Sequence, residues 1–99
     1  MASGRRFRIH DNALRELRDA ARRYEKERRG LGVDLVLAVN KATQKIVEAP
    51  ERWPVTSGAR RYVLPDLPFS IYYRVSEREI LVVAVAHQRR RPGYWVHRR

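Results

Sequence analysis

The sequence contains no cysteine, so neither a disulfide bond nor a thiolate nucleophile can contribute to its stability or its chemistry. This composition fits a reducing compartment, and we expect the protein to be cytoplasmic. Its three histidines, His10, His87 and His97, lack the spacing of a metal-binding motif. With no cysteine to complement them, no zinc site is expected. No cofactor motif is present either, so the sequence implies no cofactor.

Long apolar segments are also missing. The longest run, residues 80–86, has seven apolar residues, whereas a membrane-spanning helix needs about 20. No membrane partner is therefore expected. The first residues include arginines but no apolar stretch behind them, so we expect no secretory signal. The chain has 99 residues, of which 43% are hydrophobic, and shows no internal repeat. These features predict a single domain over residues 1–99.

Acidic residues are scarce relative to basic ones. The chain has 11 Asp and Glu against 22 Lys and Arg, which gives a formal net charge of +11. Such a charge concentrates anionic partners around a protein and accelerates encounter with them. Charge alone does not choose between a nucleic acid, an acidic protein and an anionic surface.

The apolar periodicity predicts one strand followed by two helices. Phe7 and Ile9 alternate with polar residues over 6–10, which is strand period. An apolar stripe with helical spacing follows from Asp11 to Gly30, and a second covers about 33–49 before a proline. Two amphipathic helices joined by so few residues are expected to form an antiparallel hairpin.

Three strands are predicted in the second half of the chain, at residues 60–64, 69–75 and 80–86, after a loop over 50–59. The last strand is apolar throughout, which is typical of a strand buried on both faces. The element order is therefore β-α-α-β-β-β. We predict an α+β fold in which the helical hairpin packs on one face of a mainly antiparallel sheet.

Directly after residue 86 the sequence changes from apolar residues to basic and aromatic ones. The apolar run is followed by candidate functional residues, namely His87, Arg89, Arg90, Arg91, Tyr94 and Trp95. Guanidinium groups pair well with carboxylates, which suits an acidic protein partner. With neighbouring rings for stacking they also suit a nucleic acid. A solvated basic tail is the third interpretation.

The order of several short motifs is similar to that of a known toxin family. These motifs occupy residues 46–50, 61–64, 67–75, 80–87 and 89–92, before Tyr94 and Trp95. Over nearly the whole chain they resemble the ParE/RelE superfamily, the toxins of bacterial type II toxin–antitoxin systems, and more closely its ParE branch. The resemblance implies a cognate antitoxin, a toxin–antitoxin hetero-oligomer and a role in growth arrest or plasmid stabilisation.

The superfamily implies two different targets. RelE-like members cut mRNA on the ribosome, whereas ParE-like members poison DNA gyrase. RelE-like enzymes carry lysines where this chain has residues 62–64 and an arginine where it has Ser70. Because these charges are missing, the resemblance favours DNA gyrase as the target, with Arg89, Arg90, Arg91, Tyr94 and Trp95 as the target-binding group.

Two alternatives remain open from the sequence. A RelE-like, ribosome-dependent mRNA endonuclease would use His87, Arg89 and Tyr94, since histidine titrates near neutral pH and can serve as a base. A non-toxic, basic nucleic-acid-binding module would instead show affinity that falls steeply with salt.

Overall fold

The computed structural model describes residues 4–99. Five strands and two helices follow one another along this part of the chain. In order they are β1 (Arg6–Ile9), α1 (Asp11–Glu27), α2 (Leu31–Glu48), β2 (Val55–Thr56), β3 (Ala59–Val63), β4 (Phe69–Val75) and β5 (Glu79–His87).

The strands form one mixed sheet in the order β1-β5-β4-β3-β2. Strand β1 runs parallel to β5, and every other neighbouring pair is antiparallel. The predicted α+β architecture is confirmed. The short strand β2 was not predicted, because its two residues lie inside a segment rich in proline, serine and glycine, which has the composition of a loop.

Both helices pack on one face of the sheet, as predicted. Alternate residues of β4, including Ile71 and Tyr73, join the apolar stripes of α1 and α2 in a common core. The apolar spacing predicts a stripe of Leu14, Leu17, Ala21 and Tyr24 on α1. The observed stripe differs, since Ala13 and Ala20 are buried whereas Leu14 is only partly covered. Small residues at these positions let α1 approach its neighbours closely.

The second face of the sheet is covered by the end of the chain. Residues 88–99, here called the strap, form no helix or strand and fold back over the sheet. Trp95 lies at the centre of a second core with Tyr72 and the outer-face residues of β5. The prediction that β5 is buried on both faces is confirmed, and the strap is the cover on the side opposite the helices.

The junction between the helices is tighter than the sequence indicates. Helix α2 begins at Leu31, so Gly32 lies within it. The Glu25 carboxylate accepts from the backbone N–H groups of Gly30, at 3.1 and 3.0 Å, and of Gly32, at 3.0 Å. It thereby satisfies free donors at the start of α2. A Cβ atom on Gly32 would lie 2.5 Å from the carbonyl oxygen of Ala21.

Gly32→Ala is expected to lower the free energy of unfolding by about 1–3 kcal/mol, because the new methyl group would push α1 and α2 apart. Glycine-to-alanine changes inside a helix normally stabilise by about 1 kcal/mol, so the sign of the change is diagnostic. Urea unfolding followed by circular dichroism measures it. Asn40→Ala, on the exposed face of α2, is the control. A stabilised Gly32→Ala variant would contradict the close helix contact.

Candidate functional site

The candidate residues begin at the end of β5, where a short turn fixes the backbone. The Gln88 N–H donates to the Pro68 carbonyl at 2.8 Å, and the Arg90 N–H donates to the His87 carbonyl at 2.9 Å. The Arg89 N–H donates to Nδ1 of His87 at 3.1 Å. The first arginines of the strap therefore leave the sheet from a defined position.

The three consecutive arginines differ in their surroundings. The Arg90 guanidinium carbon lies 3.7 Å from the centroid of the Tyr94 ring, and its Nη1 lies 3.6 Å from Oε2 of Glu16. Arg89 and Arg91 are exposed, and within residues 4–99 their side chains have no hydrogen-bond or ion-pair partner. The cluster thus divides into one arginine held by the fold and two that face solvent.

Glu16, in the middle of α1, connects this helix to both β5 and the strap. Its Oε1 accepts from the Val85 N–H at 3.0 Å and from Nη1 of Arg98 at 3.0 Å. The same Arg98 nitrogen donates to the Val83 carbonyl at 2.9 Å. Because β1 pairs with β5 only as far as Val82, these two side chains satisfy backbone groups at the uncovered edge of β5.

Tyr94 completes this group of side chains. Its ring also lies under the Arg98 guanidinium, with the carbon 5.0 Å from the ring centroid. Its hydroxyl is buried and forms no well-aligned hydrogen bond within residues 4–99. We call Glu16, Arg90, Tyr94 and Arg98 the Glu16 cluster. Sequence reasoning missed Glu16 and Arg98 because 82 positions separate them.

Trp95 is buried and so is not presented to solvent beside the arginines; its part in target binding stays a prediction. Its side chain has 0% of its surface exposed. The ring stacks on Tyr72, with 3.7 Å between the ring centroids. A residue buried in this way organises the strap rather than contacting a target directly.

Two of the residues proposed for mRNA cleavage, His87 and Tyr94, are engaged by other groups of the protein. Nδ1 of His87 accepts the Arg89 N–H, so this nitrogen is occupied by the backbone of the strap. Burial, followed by the neighbouring Glu16 carboxylate, raises the pKa of Tyr94 well above its ordinary value. Its hydroxyl is therefore a poor proton donor or acceptor near neutral pH.

The structure places an arginine beside Ser70, the position at which RelE-like enzymes carry an arginine and this chain carries none. Arg61 of β3 donates from Nε to Oγ of Ser70 at 3.2 Å. Val63 and Ser70 are directly paired across the two strands, so Arg61 is the diagonal neighbour of Ser70 on the same face. The strand register would have revealed this contact, whereas matching of motifs position by position does not.

Two buried tyrosines, Tyr73 and Tyr94, make the stability of the protein depend on pH in the alkaline range. Burial raises the pKa of Tyr73 to about 12, against an opposing effect of Arg60, and the Tyr73 hydroxyl donates to the Pro50 carbonyl at 2.7 Å. The pKa of Tyr73 is thus higher in the folded state than its unfolded value of about 10. The neutral tyrosine therefore contributes its full stabilisation below about pH 10, and this contribution is lost as the pH rises towards 12.

We therefore expect the urea midpoint to hold steady up to about pH 10 and then to fall continuously. Tyr73→Phe should reduce this fall, although it also costs the hydrogen bond to Pro50. Urea titrations at a series of alkaline pH values measure both effects. A midpoint that stays level through about pH 11 would show that neither Tyr73 nor Tyr94 resists ionisation in the folded state.

Comparison with solved structures identifies the fold. A chain of the structure described as "Chromosomal ParDE TA system from P. aeruginosa" superposes with a TM-score of 0.76 at 16% sequence identity, covering 87% of this chain and 98% of that chain. The two chains therefore share one fold. No curated protein matches the sequence.

The family follows from the sequence comparison. The family model described as ParE toxin of type II toxin-antitoxin system, parDE, matches residues 7–92. The chain therefore belongs to the ParE toxin family, as its motifs predicted. In the described part of the chain, no helix combines the length and apolar character needed to cross a membrane.

Proposed function

We propose that this chain is a growth-arresting toxin that inhibits DNA gyrase in the cytoplasm and is neutralised by a cognate antitoxin. The family match over residues 7–92 supports this proposal, because it includes both helices, the sheet and the first arginines of the strap. The choice of gyrase over mRNA depends on the chemistry of the site.

The observation that carries this choice is the contrast between the two sets of candidate residues. Arg89 and Arg91 are exposed and lack ion-pair partners within residues 4–99, so they are available for carboxylates or phosphates of a target. Of the groups that mRNA cleavage would need for proton transfer, His87 is engaged by the strap backbone, and burial beside Glu16 raises the pKa of Tyr94. The site suits binding better than proton transfer.

A groove beside α2 is the surface that we assign to the antitoxin. It encloses about 440 Å³ between α2 and the turn after β3. Its lining combines apolar residues with three cations and two carboxylates, namely Leu31, Ala38, Ala42, Tyr62, Pro65, Leu67, Arg28, Lys41, Lys45, Asp34 and Asp66. Val33 and Leu37, also on α2, are 59% and 58% exposed. An amphipathic segment that lays its apolar face on these residues and carries charges of both signs at its margins is the partner that fits this surface.

The test measures supercoiling of relaxed plasmid by purified gyrase in the presence of this chain. The expected result is inhibition that increases with toxin concentration. A parallel translation reaction, with the mRNA ends mapped, tests for cleavage on the ribosome. Normal gyrase activity together with cut mRNA would replace the gyrase proposal by the endonuclease alternative. Salt-sensitive binding to plain nucleic acid, with neither effect, would favour the binding module.

A further inference from the structure

We propose that Glu16 is a positioning residue that holds the strap closed and so determines which arginines the protein presents. Arg90 is drawn towards α1, while Arg89 and Arg91 are left facing solvent. This inference rests on the proposed function only in its last step, where presentation of the arginines is linked to gyrase inhibition. The role of Glu16 in holding the strap can be tested without gyrase.

The carboxylate of Glu16 is placed to join three separate parts of the molecule. It belongs to α1, it accepts from the Val85 N–H of β5, and it pairs with Arg90 and Arg98 of the strap. The side chains of Glu16 and Arg98 are only 15% and 16% exposed. Water screens such a pair less than it screens the ion pairs on the surface, so loss of the carboxylate is expected to release both arginines.

The edge of β5 explains why a carboxylate is needed at this position. Beyond Val82 the edge has no strand partner in β1, yet an N–H and a carbonyl group of β5 still point towards it. Glu16 accepts from the N–H of Val85, and Arg98 donates to the carbonyl of Val83. One ion pair thus satisfies both a donor and an acceptor, and its loss would leave both groups without a partner.

A second attachment of the strap is independent of Glu16. Arg74 of β4 donates from Nη1 to the Arg98 carbonyl and from Nη2 to the Val96 carbonyl, the latter at 2.9 Å. Since these are backbone acceptors, Arg74 can hold the end of the strap without fixing its side chains. Glu16 instead contacts two strap arginines through their side chains, so it determines how they are oriented.

The Glu16 cluster restrains the side chain of Arg90, although this side chain lies near the surface. Its side chain remains 55% exposed although it pairs with Glu16 and lies over the Tyr94 ring. When Glu16 is removed, Arg90 loses its carboxylate partner and the segment that carries Arg89 and Arg91 loses its link to α1. We therefore expect the strap to become mobile while the helix-side core stays folded.

Hydrogen exchange measured by mass spectrometry tests this expectation on the full chain. Glu16→Ala should speed the exchange of backbone amides in residues 88–99 and at Val85 by about tenfold or more. Exchange of the β4 residues that pack against the helices should stay unchanged. Glu16→Gln should have a smaller effect, because its amide oxygen can still accept from the Val85 N–H. Glu27→Gln, an exposed position on the same helix, should leave the exchange of the strap unchanged.

Gyrase inhibition provides the second readout. Glu16→Ala is expected to need about tenfold more protein for half-inhibition than the wild type, while Glu27→Gln matches the wild type. If the wild type does not inhibit gyrase, the proposed function fails, but the exchange data still decide the role of Glu16. Unchanged strap exchange in Glu16→Ala would overturn that role.

Two other outcomes are equally decisive. A mobile strap with undiminished gyrase inhibition would overturn the link between strap order and target binding. Should Glu16→Ala fail to fold, Glu16→Gln supplies the comparison, since it preserves side-chain volume and removes only the charge. Identical strap exchange in Glu16→Gln and wild type would then show that the ion pairs with Arg90 and Arg98 do not hold the strap.

Discussion

Trp95→Ala is expected to lower the free energy of unfolding by about 3–5 kcal/mol, a large part of the stability of a small domain. The Trp95 side chain is completely buried and stacks on Tyr72. Its removal would leave a cavity between the strap and the sheet, and the apolar outer face of β5 would lose its cover. Urea unfolding monitored by circular dichroism measures the loss.

The second tryptophan supplies a matched control. Trp53 is only partly buried and lies against Tyr62, with 4.8 Å between the ring centroids. Trp53→Ala should therefore cost less, about 1–2 kcal/mol. Trp95→Phe keeps an aromatic ring on Tyr72 and should recover part of the stability. If Trp95→Ala and Trp53→Ala were equally mild, the strap would not be packed on the sheet as described.

This burial changes how activity data at Trp95 should be interpreted. A toxin that loses activity when Trp95 is replaced has lost the organisation of the strap, which also carries Arg89 and Arg91. Loss of activity at this position is therefore no evidence that the ring contacts a target. Only variants that keep the wild-type stability can identify contact residues.

The sequence predicted the elements whose signals are local. The apolar run of β5 predicted a strand with two covered faces, and the two helical stripes predicted the hairpin that packs on the sheet. It did not show what covers the second face, because the strap has neither helical nor strand periodicity. Its covering residue is a single tryptophan in a basic segment, a pattern that equally suits an exposed contact.

The charged contacts of the site were missed for a related reason. The Glu16–Arg98 pair joins residues at opposite ends of the chain, and in the sequence Glu16 is one of many charges on an amphipathic helix. Its importance arises from where β1 stops pairing with β5, which is a property of the sheet. The division of the arginine cluster into Arg90 on one side and Arg89 and Arg91 on the other likewise requires the folded strap.

The double variant Arg89→Ala/Arg91→Ala is expected to weaken gyrase inhibition by about 10- to 100-fold, since a tenfold loss corresponds to about 1.4 kcal/mol and two charged contacts would be removed. Both side chains are exposed and have no partner within residues 4–99. Stability should therefore stay within about 0.5 kcal/mol of the wild type. Half-inhibition concentrations and urea midpoints, measured on the same preparations, separate the two effects.

Arg78 provides a control for the loss of charge, because it is exposed at the opposite end of β5 and its replacement removes one charge where the double variant removes two. Arg78→Ala lowers the net charge without touching the strap, so it should leave inhibition nearly unchanged at moderate salt. Arg90→Ala should differ from both, because it removes a contact with Glu16 and Tyr94 and thus costs stability as well as activity. A loss in Arg78→Ala that is about half of the loss in the double variant, on a logarithmic scale, would mean that net charge alone drives inhibition. Full inhibition by a stable double variant would place the gyrase contact elsewhere on the protein.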